Sequence, residues 1–305
     1  MQIPIFKPQT EWIPPTDFPD LGKYDEIAID LETKDPNLNK RMGSGSVVGE
    51  GDVVGISLAT HDWCAYYPIA HEGGGNMDRG MVLKWLQDQL NTPATKIFHN
   101  AMYDVCWLRA LGLKINGTIV DTMIAASLID ENRFRYDLNG CGRDYLGKGK
   151  DETQLYEAAK SWGVDAKAEM YKLPAMYVGA YAERDAQLTL ELWQEFKKEI
   201  MHQDIGNIFE METKLFPVLV DMRFLGVRVD VDRAAKEKTN MVEEEKRLLG
   251  GVYSETGQEV QIWAARSIAK VFEKLGLPYD RTEKTGAPSF TKNFLANHPH
   301  KIVQA

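Results

Sequence analysis

Two acidic residues, Asp30 and Glu32, lie in the alternating run YDEIAIDLET at Tyr24–Thr33. Alternation of apolar and polar residues is the period of a β-strand with one face in a core, and here it puts both carboxylates on the other face. Residues two apart on a strand lie roughly 6.5 Å apart. Carboxylates at that separation can bind divalent cations between them, as two-metal phosphodiester chemistry requires. Solvated strand faces also carry such pairs, so the pair alone leaves both interpretations open.

Further candidates lie on predicted helices. Asp104 falls in the first turn of a helix, where the helix dipole favours a carboxylate whether or not it takes part in chemistry. Tyr181 and Asp185 are four residues apart on another helix and therefore share a face, although such pairs are ordinary in isolation. We interpret His99 as a structural histidine and Asp121 as a helix N-cap.

The elements around these residues predict an α/β domain. Strands are expected at about 24–33, 52–60, 63–69 and 96–98, and the second and third form a hairpin beside the first. Helices are expected at 81–90, after His99, from about Asp121 and at 179–200, with several short helices between 136 and 177. The loop Thr33–Asp52 contains no G-K-[ST] and is not a phosphate loop.

The composition changes after about His202, where helical segments follow at 208–224, 231–249, 260–275 and 290–296. We therefore predict a domain boundary near Asp204, giving domains 1–204 and 205–305. We find no internal repeat.

Length and composition limit the possible classes of protein. A chain of 305 residues with 44% apolar content can bury a large core and hold more than one domain. Met1–Pro15 does not have the pattern of a secretion signal, and no apolar run approaches the length of a bilayer, so a cytoplasmic protein without membrane association is expected. The three cysteines lack metal-ligand spacing and suit reduced thiols.

The net charge of −9 argues by itself against nucleic-acid binding, which usually needs a basic surface. Two observations weaken that argument. Cations bound at an acidic metal site would neutralise part of the charge. Basic residues also gather locally, at Arg133, Arg135, Arg143, Lys148 and Lys150.

Taken together and in order, Asp30-Leu-Glu32, Asn100-x-x-Tyr-Asp104 and Tyr181-x-x-x-Asp185 resemble the three exonuclease motifs of the DEDD superfamily, in its tyrosine subclass. The resemblance implies a ribonuclease H-like fold, in which helices flank a mixed sheet with an antiparallel hairpin. It also implies a 3′-5′ exonuclease of the proofreading type.

Other stretches are similar to bacteriophage-type family A DNA polymerases, the DNA polymerase I family. They are HEGGGN at His71–Asn76, Asp121-Thr-Met, the run Leu215–Asp230 and KTGAPS at Lys284–Ser289, which resembles the tip of the polymerase thumb. The segment 231–249 resembles the outgoing thumb helix.

The polymerase motifs of that family, with the palm aspartates and the nucleotide-binding Arg and Lys, are missing from this sequence. The chain stops at Ala305, about where the returning thumb helix would begin. We expect no polymerase active site on this chain. Either it is a fragment, or a separate polypeptide carries the palm and fingers.

The resemblance assigns a role to each candidate residue. Asp30, Glu32 and Asp185 would hold the Mg²⁺ or Mn²⁺ ion that activates water, and Asp30 would bridge to a second ion. Asp104 would support the second ion through water, and the Tyr181 hydroxyl would orient the attacking water.

The substrate implied by the resemblance is the single-stranded or frayed 3′ end of DNA, with Asn100 and Lys284 among the contacting residues. If the protein is phage-encoded, it would act in the host cytoplasm.

Two other functions stay open. An exoribonuclease of the same fold would share the carboxylates, but that family carries a different helical module in place of the thumb-like Lys284–Ser289. A non-catalytic DNA-holding subunit is the other, and it does not explain why the catalytic set is intact.

Overall fold

The computed structural model describes residues 10–38, 40 and 44–304. Most of Met1–Pro15, part of the predicted Thr33–Asp52 loop and Ala305 therefore lie outside the described residues. The chain divides into a larger compact unit that ends at Gly226 and a smaller one that begins at Val227. None of the helices in the described part of the chain is long and apolar enough to cross a membrane.

The larger unit is built on a five-stranded mixed sheet in the order β3-β2-β1-β4-β5. The strands are β1 (Glu26–Lys34), β2 (Asp52–Ala59), β3 (Cys64–Pro68), β4 (Thr95–Phe98) and β5 (Ile119–Asp121). β1 pairs antiparallel with β2 and parallel with β4, while β2 pairs antiparallel with β3 and β4 parallel with β5. The predicted α/β fold, a mixed sheet with a hairpin beside the first strand, is confirmed.

Eight helices accompany this sheet in the described residues. They are α1 (Gly45–Val48), α2 (Arg79–Leu90), α3 (Ala101–Ala110), α4 (Thr122–Ile129), α5 (Leu138–Leu146), α6 (Thr153–Trp162), α7 (Gly179–His202) and α8 (Gly206–Leu225). Two 3₁₀ turns, Met170–Lys172 and Ala175–Tyr177, lead into α7.

The alternation of β1 separates two cores. Ile27, Ile29 and Leu31 pack in one cluster with residues of α2 and α3, whereas Ala28 packs in a second cluster with residues of α7. α7 lies across β1, β2 and β3. The polar positions of β1 that follow Ala28 in the alternation therefore face α7.

The pairing of β1 with β2 is irregular just after Glu32. Glu32 pairs with Gly55, but Thr33 pairs with Val53, so one residue of β2 is unpaired. Such a β-bulge bends the strand and changes the direction of neighbouring side chains, and bulges are frequent beside active sites. Here the bulge directly follows the two acidic residues of β1.

The smaller unit is mainly helical. It contains α9 (Val231–Thr256), α10 (Ala265–Leu275), α11 (Lys292–Ala296), α12 (Lys301–Gln304) and the two-stranded pair β6 (Asp280–Arg281) and β7 (Pro288–Ser289). The Phe272 ring lies 4.9 to 6.1 Å from four neighbouring rings, which form the centre of this unit.

The division after Gly226 differs from the boundary predicted near Asp204. α8, which the sequence analysis placed in the second domain, buries Phe216 and Val220 in the core of the larger unit. The assignment of functions to domains 1–204 and 205–305 stays a prediction.

Candidate active site

Asp30, Glu32 and Asp185 come together in space. β1 carries Asp30 and Glu32 on the face that meets α7, and Asp185 is buried on α7. One carboxylate oxygen from each residue lies within 4.8 Å of the other two. Carboxylate oxygens are the ligands preferred by hard divalent cations. The structure thus brings together the three acidic side chains to which the resemblance assigned the first metal ion.

The electrostatics of this cluster disfavour ionised carboxylates unless a cation lies near them. Burial and the charges of neighbouring carboxylates, Asp185 first, raise the pKa of Asp30 well above its ordinary value. The same two causes raise the pKa of Glu32 to about 7. The Oδ1 atom of Asp185 is buried without a hydrogen-bond partner among the described residues. A divalent cation would relieve the repulsion and use the unpaired oxygen, so the residues fit a metal ion.

Asp104 lies beside this cluster without being one of its three closest members. It is in the first turn of α3, as predicted, and is nearly fully buried. Its Oδ1 accepts a hydrogen bond from the backbone N–H of Leu31, at 3.1 Å, between the two acidic positions of β1. Burial raises its pKa well above the ordinary value despite that bond.

Two lysines border the cluster. The Lys150 ammonium lies 2.7 Å from Oδ2 of Asp185, and only 10% and 5% of these side chains are exposed. The Lys167 ammonium lies 3.1 Å from the Tyr181 hydroxyl and 2.6 Å from Oε1 of Glu152. Both ammonium groups lie over the Tyr181 ring, at 5.2 Å for Lys150 and 4.4 Å for Lys167.

The sequence does not predict a role for either lysine. Lys150 belongs to a local group of basic residues, and no motif includes Lys167. Both lie in the region between α5 and α7. This region consists of short helices and turns, so it has no regular apolar period that would predict where a side chain points. Their contacts with Asp185 and Tyr181 depend on the tertiary fold.

The glycine-rich loop HEGGGN holds the segment that leads into α7. The His71 ring bridges the Tyr66 hydroxyl, at 2.7 Å, and the Leu173 carbonyl oxygen, at 2.9 Å. A Cβ at Gly73 would lie 2.3 Å from the backbone nitrogen of Pro174, so only glycine permits this approach. The loop therefore helps to fix the start of the helix that bears Tyr181.

The predicted structural roles of His99 and Asp121 agree with their contacts. The His99 ring contacts the Thr122 hydroxyl at 2.9 Å and the Tyr136 carbonyl oxygen at 2.8 Å, and burial lowers its pKa to about 4. Asp121 caps α4 by accepting from the N–H of Met123, and it also accepts from the N–H of Asn100.

The two predicted DNA contacts lie in different units. Asn100 adopts a left-handed conformation, with φ of 67°, before α3, and its side chain makes no capping bond. Lys284 lies in the exposed turn between β6 and β7 of the smaller unit. Their contacts with DNA stay a prediction.

The carboxylate cluster opens into a surface cleft of about 610 Å³. Its lining includes acidic, basic, amide and aromatic side chains, namely Asp30, Asp185, Lys150, Asn100, His99 and Phe134. A volume of this order is typical of ligand sites in proteins.

The sheet order, the flanking helices and the carboxylate cluster of β1 and α7 define a nuclease of ribonuclease H-like fold. Residues 18–201 match the profile of the 3′-5′ exonuclease family of family A DNA polymerases, and the chain belongs to that family.

Relatives of this chain include phage and bacterial DNA polymerases. The "DNA-directed DNA polymerase" of Pseudomonas phage M6 is 32% identical over 99% of this chain and 47% of its own length. "DNA polymerase DpoZ" of Salmonella phage PMBT28 is 27% identical over 93% of this chain and 45% of its own length. "DNA polymerase I" of Chloroflexus aurantiacus is 25% identical over 74% of this chain and 24% of its own length. The chain thus spans about half the length of the phage relatives.

Among solved structures, the POL domain of Pol1 from M. smegmatis in complex with DNA primer-template and dNTP is similar to this chain, with a TM-score of 0.61. The identity is 16%, and the similarity covers 93% of this chain and 43% of the other. At this identity the comparison shows a shared fold.

Proposed function

We propose that this chain is the exonuclease portion of a family A DNA polymerase and removes nucleotides from single-stranded or frayed 3′ ends of DNA. The observation that carries the proposal is the set of three carboxylate oxygens within 4.8 Å of one another, inside a domain of the 3′-5′ exonuclease family. The roles that we propose for individual residues rest on the same observation.

Asp30, Glu32 and Asp185 would hold two Mg²⁺ or Mn²⁺ ions, and Asp104 would support them. Bound ions of this kind supply a nucleophilic hydroxide and stabilise the leaving 3′ oxygen. The chain's other residues position these groups. Lys150 fixes the orientation of Asp185 through its ammonium group.

The Tyr181 hydroxyl orients the attacking water. Its oxygen accepts a hydrogen bond from the Lys167 ammonium, and burial together with the neighbouring Asp185 carboxylate raises the pKa of Tyr181, so the hydroxyl keeps the proton that it donates. Lys167 is itself held by Glu152, so the direction of the tyrosine hydroxyl is set before substrate binds.

DNA rather than RNA is favoured as substrate because the relatives described above are all named DNA polymerases. We propose further that the polymerase portion lies in the remainder of a longer protein or on a separate polypeptide. If the protein is phage-encoded, it acts in the host cytoplasm.

The substrate is tested by degradation of 5′-labelled oligonucleotides of one sequence, prepared as single-stranded DNA, paired duplex, duplex with a mismatched 3′ end, and single-stranded RNA. With Mg²⁺ we expect a ladder that shortens one nucleotide at a time from the 3′ end, faster on the mismatched than on the paired duplex. EDTA should stop the reaction. Faster degradation of the RNA than of the single-stranded DNA would favour the exoribonuclease instead.

A further inference from the structure

Phe134 is fully exposed at the rim of the active-site cleft. Its relative exposure is 105%, and it lines the same cleft as Asp30 and Asp185, with Arg135 beside it. An isolated apolar side chain on a surface is common and needs no explanation. This ring is different in two respects: it lies at the mouth of the carboxylate cleft, and the turn that carries it is held by several contacts.

The turn that carries Phe134 is anchored on both sides. On one side the Arg133 guanidinium lies 2.6 Å from Oδ2 of Asp144 and 5.1 Å from the centre of the Tyr145 ring. On the other side the Tyr136 hydroxyl donates to the carbonyl oxygen of Asp130 at 2.9 Å.

A further hydrogen bond connects this turn to a residue that lines the cleft. The carbonyl oxygen of Tyr136 lies 2.8 Å from Nε2 of His99, the residue that precedes Asn100 in the cleft. The aromatic ring is thus presented on a fixed support beside the carboxylates. A surface fixed before binding loses little conformational entropy when a ligand stacks on it.

The rim also carries an available cation. Arg135 is exposed, and its guanidinium forms no ion pair among residues 10–38, 40 and 44–304. Single-stranded nucleic acid is bound by aromatic rings on which bases stack, together with cations that follow the phosphates. The rim supplies one group of each kind next to a cluster that would otherwise repel a polyanion.

We propose that Phe134 is a stacking platform for an unpaired nucleobase of the strand that occupies the cleft, and that Arg135 binds a neighbouring phosphate. The proposal rests on the proposed function, because it assumes a nucleic acid substrate. Every base has an aromatic face, so the platform accepts all four bases and contributes to binding rather than to the chemical step.

The test uses the full chain and the variants Phe134→Ala, Phe134→Leu and Phe134→Trp. Leucine keeps the apolar bulk but has no aromatic face, whereas tryptophan keeps the face. Met201→Ala, at an 81% exposed apolar position near the end of α7, is the matched control for loss of exposed apolar surface. KM and kcat are measured on single-stranded DNA with Mg²⁺, and affinity is measured in EDTA by fluorescence anisotropy.

Loss of one base-stacking contact predicts that KM and Kd rise by about 5- to 150-fold in Phe134→Ala and Phe134→Leu. Phe134→Trp and Met201→Ala should resemble the unmodified chain, and kcat should change little in all four. Arg135→Gln should lower the dependence of log Kd on log salt by about 0.7, the value for one phosphate contact on a single strand.

Different results would refute the stacking role of Phe134 and the proposed exonuclease function. An active unmodified chain whose Phe134→Leu variant keeps its KM and Kd would overturn the platform, and so would a loss confined to kcat. A folded, metal-loaded chain without activity on DNA or RNA would refute the proposed function instead. Equal melting temperatures of the variants show that the fold is unchanged, as expected for an exposed side chain.

Discussion

At the scale of single residues, the carboxylate cluster links metal binding to pH. Burial, and next the charge of Asp185, raise the pKa of Glu32 to about 7 from its ordinary 4.5. Between these values the folded chain holds a proton that the unfolded chain has lost. The contribution of Glu32 to the free energy of unfolding of the metal-free protein therefore falls as pH rises through this window. A bound cation would displace the proton and favour the charged carboxylates.

We predict that lowering the pH from about 8 to about 5.5 raises the melting temperature of the metal-free protein relative to that of its Glu32→Gln variant, and that added Mg²⁺ raises the melting temperature of the unmodified chain more at the higher pH. Thermal melts with EDTA or Mg²⁺ at both pH values measure this. The Glu32→Gln variant is the control, since it cannot titrate at this position and should show a smaller difference. An equal Mg²⁺ effect at both pH values would contradict the linkage.

Tyr181→Phe removes one orienting hydroxyl and leaves the carboxylates in place. We expect kcat to fall by about 10- to 100-fold, less than for Asp30→Ala, because positioning groups contribute an effect of that order. Single-turnover degradation of labelled DNA measures both variants. A loss as complete as that of Asp30→Ala would show that Tyr181 has a different role.

Lys167 should act on the reaction through Tyr181, since its ammonium lies 3.1 Å from that hydroxyl. Lys167→Met is expected to lower kcat in the unmodified chain and to have little further effect in the Tyr181→Phe background. The double-mutant cycle measures this coupling. Additive effects would mean that Lys167 acts independently of the tyrosine, for example by binding DNA.

Among the elements, the close packing of β2 against Tyr66 of β3 depends on glycine at position 55. Gly55 is the pairing partner of Glu32, and a Cβ there would lie 2.0 Å from the hydroxyl of the fully buried Tyr66. Gly55→Ala should therefore lower the free energy of unfolding by about 1 to 3 kcal/mol, the usual cost of overpacking. Gly206→Ala at the start of α8 meets nothing within 4 Å and should be neutral or stabilising. Urea unfolding compares the two, and equal stabilities would refute the role of this contact.

The elements that could be predicted are those with a clear period. The alternation of β1 and the helical period of α7 are local properties, and they place Asp30 and Glu32 on one face of the strand and Asp185 on the same face of the helix as Tyr181. The resemblance to the exonuclease motifs, and not the periods, predicts that these two faces meet. The end of α9 was missed because Gly250 and Gly251 indicate a stop, yet the helix continues to a left-handed cap at Gly257. Each glycine costs about 1 kcal/mol of helix stability relative to alanine. Tertiary packing of α9 outweighs this cost, and such packing cannot be predicted from the local sequence.

The position of α8 and the contacts of the two lysines could not be predicted for a related reason. Phe216 and Val220 give α8 an apolar face, but a face does not specify which core it packs against. Lys150 and Lys167 contact residues 35 and 14 positions away in the chain. Contacts of this kind are consequences of the whole fold.

At the scale of the whole molecule, the smaller unit has an apolar groove of about 660 Å³ between α9, α10 and the helices that follow. Its lining includes Met241, Leu248 and Phe272. An amphipathic helix gains most of its stability from packing of its apolar face. Because relatives of this chain are about twice as long, we propose that the polymerase portion of a longer protein covers part of this unit.

This proposal predicts that amides beyond about Asp230 exchange hydrogen faster in the isolated chain than those of the exonuclease core, and that added polymerase portion protects them. Mass-spectrometric hydrogen exchange measures both states, with the buried face of α7 as the slow reference in each. Uniformly slow exchange across 231–296 in the isolated chain would show that the smaller unit is stable by itself and needs no such partner.

We propose that Asp30, Glu32 and Asp185 form the metal site of a 3′-5′ exonuclease, and the Asp185→Asn variant tests this assignment. The substitution keeps the size of the side chain, and Asp30 and Glu32 still offer their charges to Lys150. Loss of a metal ligand removes several kcal/mol of charge stabilisation. Since each 1.36 kcal/mol is tenfold in rate, Mg²⁺-dependent shortening of 5′-labelled DNA should fall by at least about a thousandfold while the melting temperature stays that of a folded protein. A folded Asp185→Asn variant that still degrades DNA from the 3′ end at the original rate would show that these carboxylates do not form the catalytic metal site.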